Sequence, residues 1–392
     1  MKSGMKDYKL SEHLKEVALL FFRLGATSFG GPAAYIGLMH HEVVVRRKWI
    51  DDQKFLDIMG AVNLIPGPNA TEIASHLGLI RAGWLGLIVA GGLFIIPGTA
   101  AIMVVAWAYV RYGSLPEVGW VLYGVKPAVI AIIVQAIWSL GRKGFKNPLL
   151  IIIGLAVLVL YLLGFNEIAL LLGGAVLFFL IQNGWKLFKK KTAVLVLTPA
   201  LLLKFSLVGL AGSAVSFSQT TLFLTFLKMG ATLFGSGYVL LAFLNSEFVV
   251  NLGWLTHAQV VDAIAVAGQI TPGPVFNSAA FIGYLLGGWA SALLAVLGIF
   301  LPSFVLVALL SRFLPSMRKS WWAGSFLDGI NAASLGLMAA VSIQLGRSVI
   351  IDPFTIFIAV AAMFLLIRFK VNSVWLVLGG GALGAIYKLV MR

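Results

Sequence analysis

Two Pro-Gly-Pro interruptions, Pro66-Gly67-Pro68 and Pro272-Gly273-Pro274, constrain this chain most, because each cuts a strongly apolar segment. Proline removes a backbone donor and steers the preceding residue out of the helical region, so a helix must break at each. In a bilayer, unpaired backbone is tolerated only where it is buried in protein or lines a cavity. That condition applies here, since 60% of the residues are hydrophobic, 11% are charged and the mean hydropathy is +1.00. A spanning helix needs about 20 mostly apolar residues, and such stretches recur along the chain. A water-soluble domain of 392 residues is excluded.

The two interruptions occupy matching places in an internal repeat. Phe22-Arg23-Leu24-Gly25-Ala26-Thr27 parallels Leu227-Lys228-Met229-Gly230-Ala231-Thr232, an offset of 205 positions. The same offset relates Glu42 to Glu247, Trp49 to Trp254, Asp57 to Asp262, Gly83-Trp84 to Gly288-Trp289 and Pro97 to Pro302. At the Pro-Gly-Pro it becomes 206 and then returns to 205. The chain is two copies of one unit, and two matched breaks point to a binding site between repeats, as in many secondary transporters.

Loop charge sets the expected orientation. The residues 1–16 are polar and basic, unlike a cleavable signal peptide. The net charge of +15 is read as cationic loops facing the cytoplasm, not as nucleic-acid binding. With six apolar segments per copy, Arg142, Lys143, Lys146 and the lysines of 186–191 fall inside, as do Arg312, Arg318, Lys319, Arg368 and Lys370. The loops around Glu167 and Asp352 are external. An extra apolar stretch over 192–212, which holds Pro199 and Lys204, would cross once more and turn the second copy upside down. The expected division is therefore 1–191, first membrane repeat; 192–212, linking transmembrane helix; and 213–392, second, inverted repeat. Arg46, Arg47, Lys48 and Lys54 would be external if 14–39 and 55–80 both spanned. Re-entrant or broken segments, interrupted at Gly30-Gly31-Pro32 and Pro66-Gly67-Pro68, return them to the cytoplasm. The fold class expected is an all-α polytopic membrane protein with two inverted-topology repeats, broken or re-entrant helices and about 9–13 membrane segments.

Charged groups inside apolar segments mark pathways. Arg23 and Lys228 occupy equivalent positions, each followed by a flexible glycine-containing stretch, although a lone basic residue can also snorkel to an interface. Lys126 lies in an apolar run, and an ion pair with Asp328 across the repeats is one reading of it. Each break adds a second kind of anion site. Asn69-Ala70-Thr71-Glu72 has capping-box spacing, with Asn69 as N-cap. A restarted helix offers free N–H groups and a positive dipole end, which hold oxyanions. In copy two, Asn277 and Ser278 follow Pro274 in the same way. The substrate-binding candidates are thus Arg23, Lys228, Asn69, Thr71, Asn277, Ser278 and Lys126. Glu72 either caps its helix or, with His76 one turn later, carries a coupled proton.

These residues resemble the chromate ion transporter family. The matching motifs are Phe29-Gly30-Gly31-Pro32, Arg46-Arg47-Lys48-Trp49, Pro66-Gly67-Pro68-Asn69-Ala70-Thr71-Glu72, Pro272-Gly273-Pro274-Val275-Phe276, Ile282-Gly283-Tyr284 and Gly298-Ile299-Phe300-Leu301-Pro302-Ser303-Phe304. The resemblance covers both halves and is to the two-domain form. It implies export of chromate across a prokaryotic cytoplasmic membrane by a multi-pass protein, with chromate resistance as the result. Tyr35 stands where the family leads one to expect a histidine. Sulfate, of the same shape and charge, is the alternative substrate, and a channel-like uniporter is the alternative mode.

Moving one charge through 100 mV is worth about 2.3 kcal/mol, so a dianion leaving an inside-negative cell gains roughly twice that. Membrane potential alone can drive such export, with proton antiport as an addition. An embedded enzyme is the competing class. His40 and His41 are adjacent beside a basic loop, His13 is in the polar N-terminus, His76 and His257 stand alone, cysteine is absent, and neither HExxH nor a phosphate-binding Gly-rich loop occurs. The expectation is no catalytic residue, no metal and no cofactor. The expected partners are the oxyanion and the lipid bilayer, with no nucleic acid; an oligomer is compatible with the chain.

Overall fold

A computed structural model describes residues 2–28, 32–63, 65–189, 216–234, 237–311 and 321–391. Gly30, Gly31, the stretch 192–212, Arg312, Arg318 and Lys319 lie outside the described residues. Every regular element among those described is helical. The first half holds α1 (Lys2–Thr27), α2 (Pro32–His40) with a π turn (His41–Arg46), α3 (Asp52–Val62), α4 (Asn69–Tyr112), α5 (Pro116–Gly144), α6 (Pro148–Leu162) and α7 (Glu167–Lys189). The second half repeats them as α8 (Gln219–Thr232), α9 (Leu240–Leu244) with a π turn (Asn245–Asn251), α10 (His257–Ala265), α11 (Ser278–Leu310), α12 (Trp321–Val349), α13 (Pro353–Phe369) and α14 (Ser373–Val390).

Local chemistry starts these elements at matched points. Asn147 and Asp352 each accept a backbone N–H three residues on, and each precedes a proline at the first helical position. Asp51 and Thr256 cap α3 and α10 in the same way. Gly83 (φ 64°, ψ −154°) and Gly288 (φ 72°, ψ −158°) fold α4 and α11 into two arms each, a left-handed conformation that glycine adopts without a Cβ penalty. Helices over 69–112, 116–142, 275–309, 324–349 and 373–390 are long and apolar enough to cross a membrane, and shorter apolar helices cover 148–162, 167–183, 240–251 and 353–369. Their exposed residues are large and apolar, Trp84, Ile88, Val104, Leu297 and Val360 among them, as a lipid-facing surface requires.

The interrupted segments of the first half fold back on themselves. Glu16, early in the first, accepts hydrogen bonds from Trp49 Nε1 at 3.1 Å and from Arg81 Nη2 at 2.7 Å, and lies 3.5 Å from Arg47 Nε. Arg81 also sits over the Trp49 ring, 5.3 Å from its centroid. The chain therefore climbs along α1, turns, and comes back along α2 to the level of Glu16. It climbs again along α3 and returns along the first arm of α4. The cluster Arg46, Arg47 and Lys48 thus lies on the N-terminal side, as the re-entrant reading requires.

The halves are inverted, and two contacts show it. Lys146, just past the end of α5, bonds Asp328 near the start of α12 at 2.6 Å. Tyr123, near the start of α5, donates to Asp352 just past the end of α12 at 2.5 Å. Helices α5 and α12 are repeat equivalents that pack together and run in opposite directions. A two-fold axis along the membrane normal would leave them parallel, so the axis lies in the membrane plane.

Packing is reciprocal. Helix α5 is embraced by α13 and α14 of the second half, while α12 is embraced by α6 and α7 of the first. The α5–α14 seam relies on small residues, since without a hydrophobic drive between helices close backbone approach is what holds them. A Cβ on Gly384 would lie 2.6 Å from both Gly124 N and Trp120 O, with backbone as the obstacle. Gly384→Ala should cost about 1–3 kcal/mol by overpacking, read as an earlier thermal transition in detergent. Gly379→Ala, one turn away with nothing within 4 Å, should leave it unchanged.

Candidate anion site at the paired helix breaks

The two breaks are held by each other's half. Gly67 N–H donates to Leu233 O at 2.7 Å, and Gly273 N–H donates to Ser28 O at 3.0 Å. Ser28 follows α1 and Leu233 follows α8 at the repeat offset, so each break is pinned by the end of the opposite half's first helix. Both glycines have positive φ, 135° and 92°. Tyr35 Oη also donates to Gly273 O, at 2.7 Å. Tyrosine here ties the second break to the first half, at the position where the family resemblance leads one to expect histidine.

Matched prolines on the crossing arms complete the clamp. Gly98, after Pro97, lies so close to Pro272 and Asn277 that a Cβ would overlap them. Ser303, after Pro302, donates to Glu72 Oε1 at 2.8 Å and borders Gly67. The expected capping box does not form. Pro68 holds the N-cap position, Asn69 donates instead to Asn63 Oδ1 at 2.7 Å, and Glu72 turns to Ser303 of the other half. A carboxylate that finds a hydroxyl across the interface has no need of its own helix's N–H groups.

What distinguishes the place is the number of polar side chains left without a protein partner. Ser28, Thr71, Ser75, Thr99 and Ser278 hydroxyls, His76 Nδ1, Glu72 Oε2 and both side-chain atoms of Asn277 are buried and make no hydrogen bond to protein. Asn277 stands at the repeat equivalent of Glu72, and both are fully buried. Buried polar groups are ordinarily paired. Here the unpaired ones gather on and beside two helix restarts, whose N–H groups and dipoles favour anions. Thr71, Asn277 and Ser278 thus lie at the restarts, and Asn69 lies at the rim of the first.

The three intramembrane cations are placed differently. Arg23 pairs with Glu42, which also holds Arg46 at 3.2 Å and Arg47. Lys228 pairs with Glu247, the repeat equivalent of Glu42. Arg23 and Lys228 side chains are 48% and 44% exposed, so neither is buried among the unpaired groups. Lys126 does not reach Asp328, which is taken by Lys146. It lies 3.3 Å from Asp262 Oδ2, which also accepts Tyr109 Oη at 2.9 Å. The reason is geometric: α5 packs on α10, which carries Asp262, whereas Asp328 meets the far end of α5. Sequence reasoning used Asp262 only as a repeat match. Its position as a lone carboxylate in an apolar run was the signal available.

Comparison with known proteins finds the same two halves. The chromate transporter family model matches residues 15–179 and again 220–385, the two halves at the repeat offset. The chromate transport protein of Cupriavidus metallidurans is 34% identical, over 94% of this chain and 92% of its own length. That of Pseudomonas aeruginosa is 30% identical, over 93% and 90%. An uncharacterized transporter of Bacillus subtilis is 30% identical over 33% of this chain but 72% of itself, about one repeat. No solved structure matches. With both halves matched by one model and relatives aligned nearly end to end, this chain belongs to the chromate transporter family.

Proposed function

We propose that this protein is a secondary transporter that exports chromate, a tetrahedral dianion, across the cytoplasmic membrane of a prokaryote and so confers chromate resistance. Membrane potential, a proton gradient or both would drive it. The observation that carries this reading is the gathering of uncommitted buried hydroxyl, amide and imidazole groups at two interlocked helix restarts. A compact oxyanion needs several convergent donors and no covalent chemistry. Thr71, Asn277 and Ser278 supply donors, with Asn69 at the entrance. Arg23, Lys228 and Lys126 supply positive charge, each balanced by a carboxylate when no anion is bound. Glu72, with His76 one turn on, is the proton-carrying candidate, and a neutral Glu72 would offer a donor where an ionised one would repel.

The charge of the first half supports the direction. Arg23, Arg46, Arg47 and Arg81 pair with just two carboxylates, Glu42 and Glu16, a cationic excess that the positive-inside rule would put on the cytoplasmic side. Anions would collect there before export.

The test is purified protein in liposomes with labelled chromate or sulfate inside, under set potentials and pH gradients. Chromate efflux that grows with an inside-negative potential is the expected result. Efflux of sulfate but not chromate would move the substrate to the alternative dianion, and efflux of neither would overturn the reading.

A further inference from the structure

The repeat equivalents Glu42 and Glu247 have opposite surroundings. Glu42 is held by three arginines. At Glu247 the positions of Arg46 and Arg47 are taken by Asn251 and Leu252, and Lys228 is the cation bonded to it. A second carboxylate, Glu167 at the start of α7, is bonded by Ser246, the residue before Glu247. Glu167 is 1% exposed and Glu247 is 5% exposed. Ser246 Oγ donates to Glu167 Oε2 at 2.7 Å, while Glu167 Oε1 is buried with no protein partner.

The other polar groups around the pair come from three helices. From α6, Tyr161 bonds Asn245 and Ser246. From α10, His257 Nδ1 lies 2.6 Å from Asn245 Oδ1, and from α12, Gln344 accepts from Asn245 at 3.0 Å. Ser246 links Glu167 to Glu247, and Lys228 bonds Glu247 in turn. Two ionised carboxylates and one ammonium would bury a net negative charge. One proton added brings the group to neutrality. The N-terminal dipole of α7 favours an ionised Glu167, but a surface-scale dipole contribution is smaller than the desolvation penalty of an unpaired buried ion. The unpartnered Oε1 is where an ionised carboxylate would need a donor and has none.

We propose that Glu167 and Glu247 share one bound proton, forming a proton-binding site at the interface between the halves, separate from Glu72 and His76. Glu167 belongs to the first half and Glu247 to the second, so the site senses how the halves meet. It also touches the anion site, since Lys228 lies on α8, whose following carbonyl, Leu233 O, holds Gly67. Loss of the proton adds one negative charge beside Lys228 and disfavours a dianion. Flux should therefore fall as pH rises through the titration of the pair. This effect on flux rests on the transport reading above; proton occupancy does not.

Infrared titration of the full-length protein in lipid tests occupancy. At neutral pH, wild type should show a protonated-carboxyl C=O band with a component that disappears in Glu167→Gln. Glu247→Gln strips Lys228 of its partner and can misfold. Glu167→Gln leaves that pair intact, and Glu167→Asp should restore the component. In liposomes at fixed potential, Glu167→Gln should hold its low-pH flux as pH is raised, whereas wild-type flux falls. An unchanged carboxyl band together with a wild-type pH profile in Glu167→Gln overturns the proposal. Loss of the band component in a protein that moves no oxyanion in any form overturns the transport reading and leaves the proton site standing.

Discussion

Lys228→Gln should abolish chromate flux and lower stability, whereas Arg23→Gln should abolish flux with little loss of stability. The two residues are repeat equivalents, and the difference comes from what each substitution leaves behind. Glu42 keeps Arg46 at 3.2 Å and also Arg47 when Arg23 is neutralised. The loss of one half-exposed partner then costs about 1 kcal/mol or less. Glu247, whose side chain is 7% exposed, is left with no bonded cation and with Glu167 bonded to the neighbouring Ser246. Stripping one partner from a buried pair costs about 3–5 kcal/mol, which the 44% exposure of Lys228 reduces to about 2 kcal/mol. The double variant Lys228→Gln/Glu247→Gln should regain stability and still not transport. Thermal unfolding in detergent with liposome flux on the same preparations checks this. Normal flux in Arg23→Gln and Lys228→Gln would remove both residues from the site.

Gly67→Ala should inactivate the protein without preventing insertion. At φ 135° an alanine is strained, and its Cβ would overlap Glu72 Oε1 and lie 3.1 Å from Ser303 Oγ. Relief means moving the break away from α11 and lengthening the 2.7 Å bond from Gly67 to Leu233 O. About 2 kcal/mol of such strain lowers the population of the transporting arrangement on the order of 30-fold. Gly37→Ala, with nothing within 4 Å of its Cβ, is the matched control. Flux within twofold of wild type in Gly67→Ala would mean that the break does not need its present shape.

The architecture was legible because its determinants are local or repeated. Proline and glycine mark the breaks, the 205-position offset marks the halves, and the basic loops mark which ends share a side. Contacts between distant segments were less legible. The Asn69–Glu72 spacing suggested a cap, but Ser303, 231 positions from Glu72, bonds the carboxylate instead. Lys126 was matched with Asp328 by neighbourhood in the repeat, yet the face of α5 that carries it points at Asp262. Glu167 was read as a loop residue, because a helix start and a buried site look alike in one dimension. Gly83 and Gly288 were noted as repeat matches, but their left-handed backbone, which splits α4 and α11, leaves no sign in composition.

On the transport reading proposed above, the mutual embrace of α5 and α12 limits how the two halves could move against each other. Each half is threaded through the other's grip, so the pair cannot swing apart like the shells of a clam without tearing both grips. The lighter pieces are the short re-entrant hairpins, each latched to the opposite half by a main-chain bond at its glycine. If cargo crosses by alternating exposure, that reading assigns the motion to those latches and the fixed frame to the clasped helices.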